Sequence, residues 1–261
     1  MSNSILSRLS RVTPEKLKLH ATRLFAEDPV VRKAIFHGRR IYYCHVKRSL
    51  QSTSSEHAFE ATVSHNFSGV SGAGERMLRL IRPLSIIESL PRNARVLVIG
   101  PRNEYDLLLL LANGFQWENI EGVDLISYSP KIKLADMHSM PYADDSWDAV
   151  LCGWTLSYSH NPKKAAEEIV RVTKKNGLIG IGVDYSTLTP EESTALFGYS
   201  IEDRNLLTER INSVEQILSL FSPHVGQVFF QHDAPNKVSH TAAGGYASIS
   251  SFAAAIFSVK K

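Results

Sequence analysis

Cysteine is nearly absent from this chain. Cys44 and Cys152 are the only two, too few for a disulfide framework or a multi-thiolate zinc site. No stretch approaches the ~18 consecutive apolar residues of a membrane-spanning helix. The N-terminus also lacks the apolar run of a signal peptide, so the expected compartment is the cytoplasm. The ten histidines include no His-Glu-x-x-His pair and no Cys/His cluster, so no metal site is expected. Neither a Gly-x-Ser-x-Gly elbow nor a phosphate-binding Gly-Lys-Ser/Thr loop occurs, and there is no internal repeat.

What is present suits a globular enzyme-sized chain. The 261 residues, 43% apolar and 21% charged, leave room for one large α/β domain or a core with an appendage. The net charge of +3 conceals an asymmetry: residues 1–50 hold 11 Lys and Arg against three acids, and the remainder 18 against 23. The run from His37 to Arg48 could touch phosphates, with Tyr42 and Tyr43 available for stacking; a solvated helical face is the plainer alternative. No nucleic-acid-binding motif accompanies it, so an anionic small molecule or lipid-linked substrate is the better use of the charge.

Short apolar runs bounded by Gly or Asp mark strands buried on both faces of a parallel sheet. They lie at 95–100, 119–124, 132–137, 148–154 and 178–185, with Asp124 and Asp136 ending two of them. Helices are expected from Asp28-Pro29 to a stop at Gly38, over 75–90 with a break at Pro83, over 104–113, and from a cap at Asn161 to Lys175. Thr13-Pro14 and Thr189-Pro190 are further helix starts, and 214–221 another helix. Residues 49–56 look like a mobile loop, and glycines 69, 72 and 74 mark another flexible stretch. The last two strand-like segments, 226–231 and 251–259, are joined without an amphipathic helix and are therefore expected to be antiparallel. Strand–helix alternation implies a doubly wound sheet, in which ligands sit outside the carboxyl ends of the strands.

From Asp136 to Val150 the chain reads Asp-Met-His-Ser-Met-Pro-Tyr-Ala-Asp-Asp-Ser-Trp-Asp-Ala-Val. Trp154-Thr-Leu-Ser-Tyr-Ser-His-Asn-Pro162 and Arg171-Val-Thr-Lys-Lys-Asn-Gly-Leu178 follow. On these segments the sequence resembles the class I S-adenosylmethionine-dependent methyltransferases, especially the small-molecule branch often called type 11. The resemblance covers residues 75–185 well and the C-terminal strands loosely. It implies a Rossmann-like, mostly parallel seven-stranded sheet with a final antiparallel strand, in a domain of residues 73–261. Residues 1–72 are expected to form a basic, mostly helical cap.

The resemblance also implies S-adenosylmethionine as cofactor and methyl transfer to a small-molecule or glycan-type acceptor as activity. A non-catalytic binding or scaffold protein of the same fold is the alternative, because the glycine loop departs from the family pattern. Only Gly100 survives in Val98-Ile-Gly-Pro-Arg-Asn-Glu104. Arg102 is then expected to meet the cofactor carboxylate and Glu104 its amino group, beside Pro101. Asp124 and Leu125 fall where ribose is held, Asp136 and Met137 where adenine is held, and Gly153 and Trp154 would floor the pocket. His160 is the candidate general base for a hydroxyl acceptor, with His138, Tyr158 and Asp184 as rivals. Leu125 to Lys131 is too short for a helical crossover, leaving the adenine side less covered or covered by another segment such as the N-terminal arm.

Overall fold

The structure is a computed structural model that describes residues 25–53, 70–185, 211–233 and 252–261. The helix starts at Thr13 and Thr189 lie outside the described residues, as does Gly69. Helix α1 spans Pro29–Ile41, with Asp28 accepting hydrogen bonds from the Val30 and Val31 amides as its N-cap. It does not stop at Gly38 but continues into a π turn over Tyr42–Val46. Tertiary contact overrides the glycine, because Phe36 is fully buried and Arg39 is tied to a distant acid.

Strand β1 (Gln51–Ser52) occupies part of the expected mobile loop. Helix α2 (Leu78–Ser85) is shorter than expected and contains Pro83 in its last turn. Then come β2 (Val96–Ile99), α3 (Tyr105–Ala112), β3 (Ile120–Asp124), β4 (Ile126–Ser127), β5 (Ile132–Leu134) and β6 (Trp147–Gly153). Helix α4 (Pro162–Val172) runs directly into β7 (Thr173–Asp184), three residues before its expected end. Helix α5 (Val214–Leu220), β8 (Val225–His232) and β9 (Phe252–Val259) complete the described chain.

The seven-stranded sheet has the order β5-β3-β2-β6-β7-β9-β8. Its first five strands are parallel, and β9 runs antiparallel to both neighbours, as the missing crossover helix predicts. The two-residue period of a strand sends alternate side chains to opposite layers. On β6, Ala149 and Leu151 join Phe36, Leu80 and Leu108 under α1, α2 and α3, while Val150 and Cys152 join Ile169 and Ile217 under α4 and α5. The chain runs from β2 through β3 to β5 on one side and then crosses back to place β6 on the other side of β2, so the β2–β6 boundary is the switch point.

No helix lies between β3 and β5. Instead β4 pairs antiparallel with β1, and the Thr53 amide donates to the Leu125 carbonyl at 2.8 Å. The N-terminal segment thus covers the place the missing helix leaves. Ser129 and Tyr128, in the turn that follows, both reach the start of α3.

Candidate active site

The residues singled out in the sequence converge on the carboxyl ends of β2, β3, β5 and β6. Gly100 is left-handed (φ 67°), and a Cβ there would meet the Thr155 side chain at 2.1 Å. The glycine is therefore required by protein packing, since Thr155 lies in the space over it. Pro101 packs on β3, where its Cγ lies 2.8 Å from the position of a Cβ on Gly122. Arg102 is also left-handed (φ 58°), and that turn aims its amide at Asp124 Oδ2, 2.7 Å away.

Asp124 is buried at the end of β3. Its other oxygen accepts from the Ile126 amide at 3.2 Å. Burial pushes its carboxyl up to about 6 even though the Arg102, Ile126 and Leu125 amides favour the anion. An anion held in this state gains from any further hydrogen-bond donor. Leu125 beside it is half-buried.

Glu104 is placed otherwise than expected. Its carboxylate is completely buried and faces α1, where Arg39 Nε and Nη2 donate at 2.5 and 2.8 Å and the Ser129 hydroxyl also bonds it. Its amide donates to the Tyr128 hydroxyl, and Asn103 Oδ1 accepts from the Tyr105 amide. The first turn of α3 is thus capped by protein groups. This arrangement removes Glu104 as a partner for a cofactor amino group. The acid that remains near the loop is Asp106, whose carboxyl is pushed up to about 7 by burial against the pull of Arg76 and Arg102. Nothing in the family pattern pointed to it; its position in the first turn after the loop was the available signal.

Asp136 lies two residues beyond β5, in a turn bridged to Ser139 rather than at the strand end. Its Oδ1 accepts from the His138 amide at 2.9 Å and lies 2.5 Å from His138 Nδ1. Burial opposes its ionisation, but these His138 contacts prevail and hold its carboxyl below the usual value. His138 Nε2 is 2.6 Å from Ser159 Oγ, which accepts from the Asn161 amide at 3.1 Å. The order acid–imidazole–hydroxyl is that of a nucleophilic relay. Ser159 is only 1% exposed, however, so no substrate carbonyl can reach it. The relay is a lock that ties the loop after β5 to the loop after β6, and Met137 packs on the apolar core under α4 and α5.

His160 lies against His138 with ring centroids 3.8 Å apart and planes tilted by 41°, half-buried just before α4. Tyr158 lies in the preceding 3-10 turn, and Asp184 is exposed and paired with Arg76 at 3.0 Å. Gly153 is closed from the α2 side, since a Cβ there would meet the Met77 sulfur at 2.2 Å. Trp154 is left-handed (φ 64°) and buried, with the Arg76 guanidinium 4.6 Å from its ring centroid. Its indole Nε1 has no hydrogen-bond partner among the described residues. Among the described residues no group of three or more His, Cys, Asp or Glu could hold a metal ion.

Residues 112–181 match the family model described as a methyltransferase domain. The chain is 38% identical over 53 residues to the uncharacterized protein MJ1123 of Methanocaldococcus jannaschii, a match covering 20% of this chain and 26% of that protein. Thus about a quarter of the length of this curated relative is matched. Among solved structures, the complex between the Haloferax volcanii Trm112 methyltransferase activator and the putative methyltransferase aligns with TM-score 0.51 and 14% identity. That alignment covers 78% of this chain and 96% of the other. The PH0226 protein of Pyrococcus horikoshii OT3 aligns with TM-score 0.50 and 13% identity, over 78% of this chain and 100% of the other. The fold is the class I methyltransferase fold, and the cofactor implied by the family match is S-adenosylmethionine.

Proposed function

We propose that the chain is an S-adenosylmethionine-dependent methyltransferase acting on an anionic small-molecule or glycan-type acceptor. The observation that carries the reading is Asp124, a buried carboxylate at the carboxyl end of β3, tied to the left-handed turn that follows β2. A ribose diol offers two hydroxyl donors to such a group. The rest of the donor set suits the same cofactor. Asp136 and Met137 are assigned the exocyclic amine and ring of adenine, and Leu125 accompanies Asp124 at the ribose. Arg102 is a cation for the carboxylate of the amino-acid end, and Asp106 takes the ammonium role first assigned to Glu104. Gly100 and Pro101 shape the turn, and Gly153 and Trp154 close the floor.

When bound, S-adenosylmethionine supplies an electrophilic methyl group on a sulfonium. The protein's part is then mainly to orient the reactants. His160 is assigned the proton of a hydroxyl acceptor, with Asp184 and Tyr158 on the same rim. Residues 1–72 are assigned to capping the site, an assignment supported by α1 packing on α3 and by β1 lying against β4.

Calorimetric titration with S-adenosylhomocysteine and with NAD tests the reading. Binding of the first alone is expected, and Arg102→Ala should weaken it roughly tenfold, or about 1.4 kcal/mol. Normal binding by Arg102→Ala would remove Arg102 from the site. Failure of the unmodified protein to bind S-adenosylhomocysteine would overturn the whole assignment.

A further inference from the structure

Helix α1 turns Phe36 inward together with two arginines, and its outward face mixes small and aliphatic side chains with bases. Arg32, Phe36 and Arg39 lie three or four residues apart and face the body of the protein: Arg32 is 5% exposed and donates to Glu75, and Arg39 holds Glu104. Val30, Ala34, Gly38 and Ile41 form another stripe, at i, i+4, i+8 and i+11. Val30 is 76% and Ile41 50% exposed, and among the described residues no atom lies within 4 Å of a Cβ built on Gly38. An amphipathic surface helix ordinarily turns its apolar stripe inward.

Single exposed apolar residues are normal on any protein. Here they are concentrated: of nine exposed large apolar side chains among the described residues, six fall in 25–50. Val46, in the π turn that follows α1, is 66% exposed. The same surface carries one sign of charge. From Pro29 to Leu50 there is no Asp or Glu, while Lys33, His37 and Arg40 flank the stripe and Lys47 and Arg48 follow it. A partner for this face must accept aliphatic side chains and carry negative charge around them. A bilayer with anionic headgroups offers both in one plane, the setting in which basic amphipathic helices lie. A nucleic acid would engage the bases but gain nothing from Val30, Ile41 and Val46.

We propose that the outward face of α1 and the π turn after it docks on an anionic lipid surface. The inference stands apart from the proposed methyl transfer, because it uses the outward face of the helix, whereas the inward face packs on α3. It accounts for Lys33, Lys47 and Arg48, the exposed lysines and arginine of this segment.

The test is co-sedimentation of the full chain with vesicles of phosphatidylcholine alone and of phosphatidylcholine mixed with phosphatidylglycerol. Binding to the mixed vesicles is expected, falling at least about tenfold when phosphatidylglycerol is omitted or when Lys33→Glu/Lys47→Glu is used. Val30→Asp/Ile41→Asp should reduce binding to the mixed vesicles by about tenfold or more. All these sites are exposed, so circular dichroism and unfolding midpoint should match the unmodified protein. Absence of binding to the mixed vesicles overturns the proposal. So does equal binding by the folded Val30→Asp/Ile41→Asp variant, or capture of a single-stranded oligonucleotide with no vesicle binding.

Discussion

Replacing Arg39 with alanine will lower the unfolding free energy by about 2–3 kcal/mol, less than for a fully buried ion pair because the guanidinium is 30% exposed. Glu104 is completely buried, and Arg39 supplies two of its hydrogen bonds. The guanidinium is itself held beside the rings of Tyr43 and Trp117, at 5.3 and 5.4 Å from their centroids. Its pKa is raised, chiefly by the hydrogen bond to Glu104. Without it the carboxylate keeps the Ser129 hydroxyl but has lost its counter-charge in a place water does not reach. Glu104→Gln in the Arg39→Ala background should recover part of the loss, because a neutral amide needs no cation. Urea unfolding midpoints read both effects. An Arg39→Ala loss below about 1 kcal/mol, or a double variant no more stable than the single one, would show that the pair does not hold α1 in place.

Asp124→Ala should cost about 1.5–3 kcal/mol of affinity for S-adenosylhomocysteine, the worth of hydrogen bonds to a charged acceptor. The raised pKa adds a signature that simple loss of shape would not produce. A diol stabilises the anion, so affinity should fall as pH drops through about 6, by about tenfold for each unit below that value. Stability of the unliganded protein moves the opposite way. The folded carboxyl titrates near 6 against 3.8 for the ordinary group, so its contribution is fully present below 3.8 and is lost as pH rises through about 6. Asp106, pushed up to about 7, adds a second step of the same sign at higher pH. The Asp124 part is therefore the difference between the unmodified protein and Asp124→Ala. Affinity independent of pH between these values, or unaltered in Asp124→Ala, would place the ribose elsewhere.

The strands were legible because each is a short run buried on both faces, such as Val96–Ile99, and that pattern needs no distant information. The antiparallel position of β9 followed from the same local reasoning, since no helix was available for a crossover. The left-handed turn at Gly100 could be expected from its residue type, but its cause could not. Thr155 lies 55 residues away, and only the β2–β6 pairing brings the two together. Glu104 illustrates the limit most sharply. An acid at the start of a helix after a glycine reads as a ligand group, whereas its fate is decided by Arg39 and Ser129, 65 and 25 residues distant. Gly38 gave a false helix stop for a related reason: a stop signal is a weak local preference, and the buried contacts of α1 outweigh it.

The short β1–β4 ladder also bears on when the site is completed. Gln51 leaves the ribosome long before Ser127, its partner across the ladder, has been made. Contacts so far apart in sequence carry a loop-closure penalty and form late. The large sheet can begin to assemble from its consecutive parallel strands, but the edge beside Leu125 is finished only when the N-terminal segment returns to it. That edge and the antiparallel end of the sheet, where Leu178 meets Ser258, therefore both wait on chain segments of similar remoteness, and neither side of the sheet is closed by local folding alone.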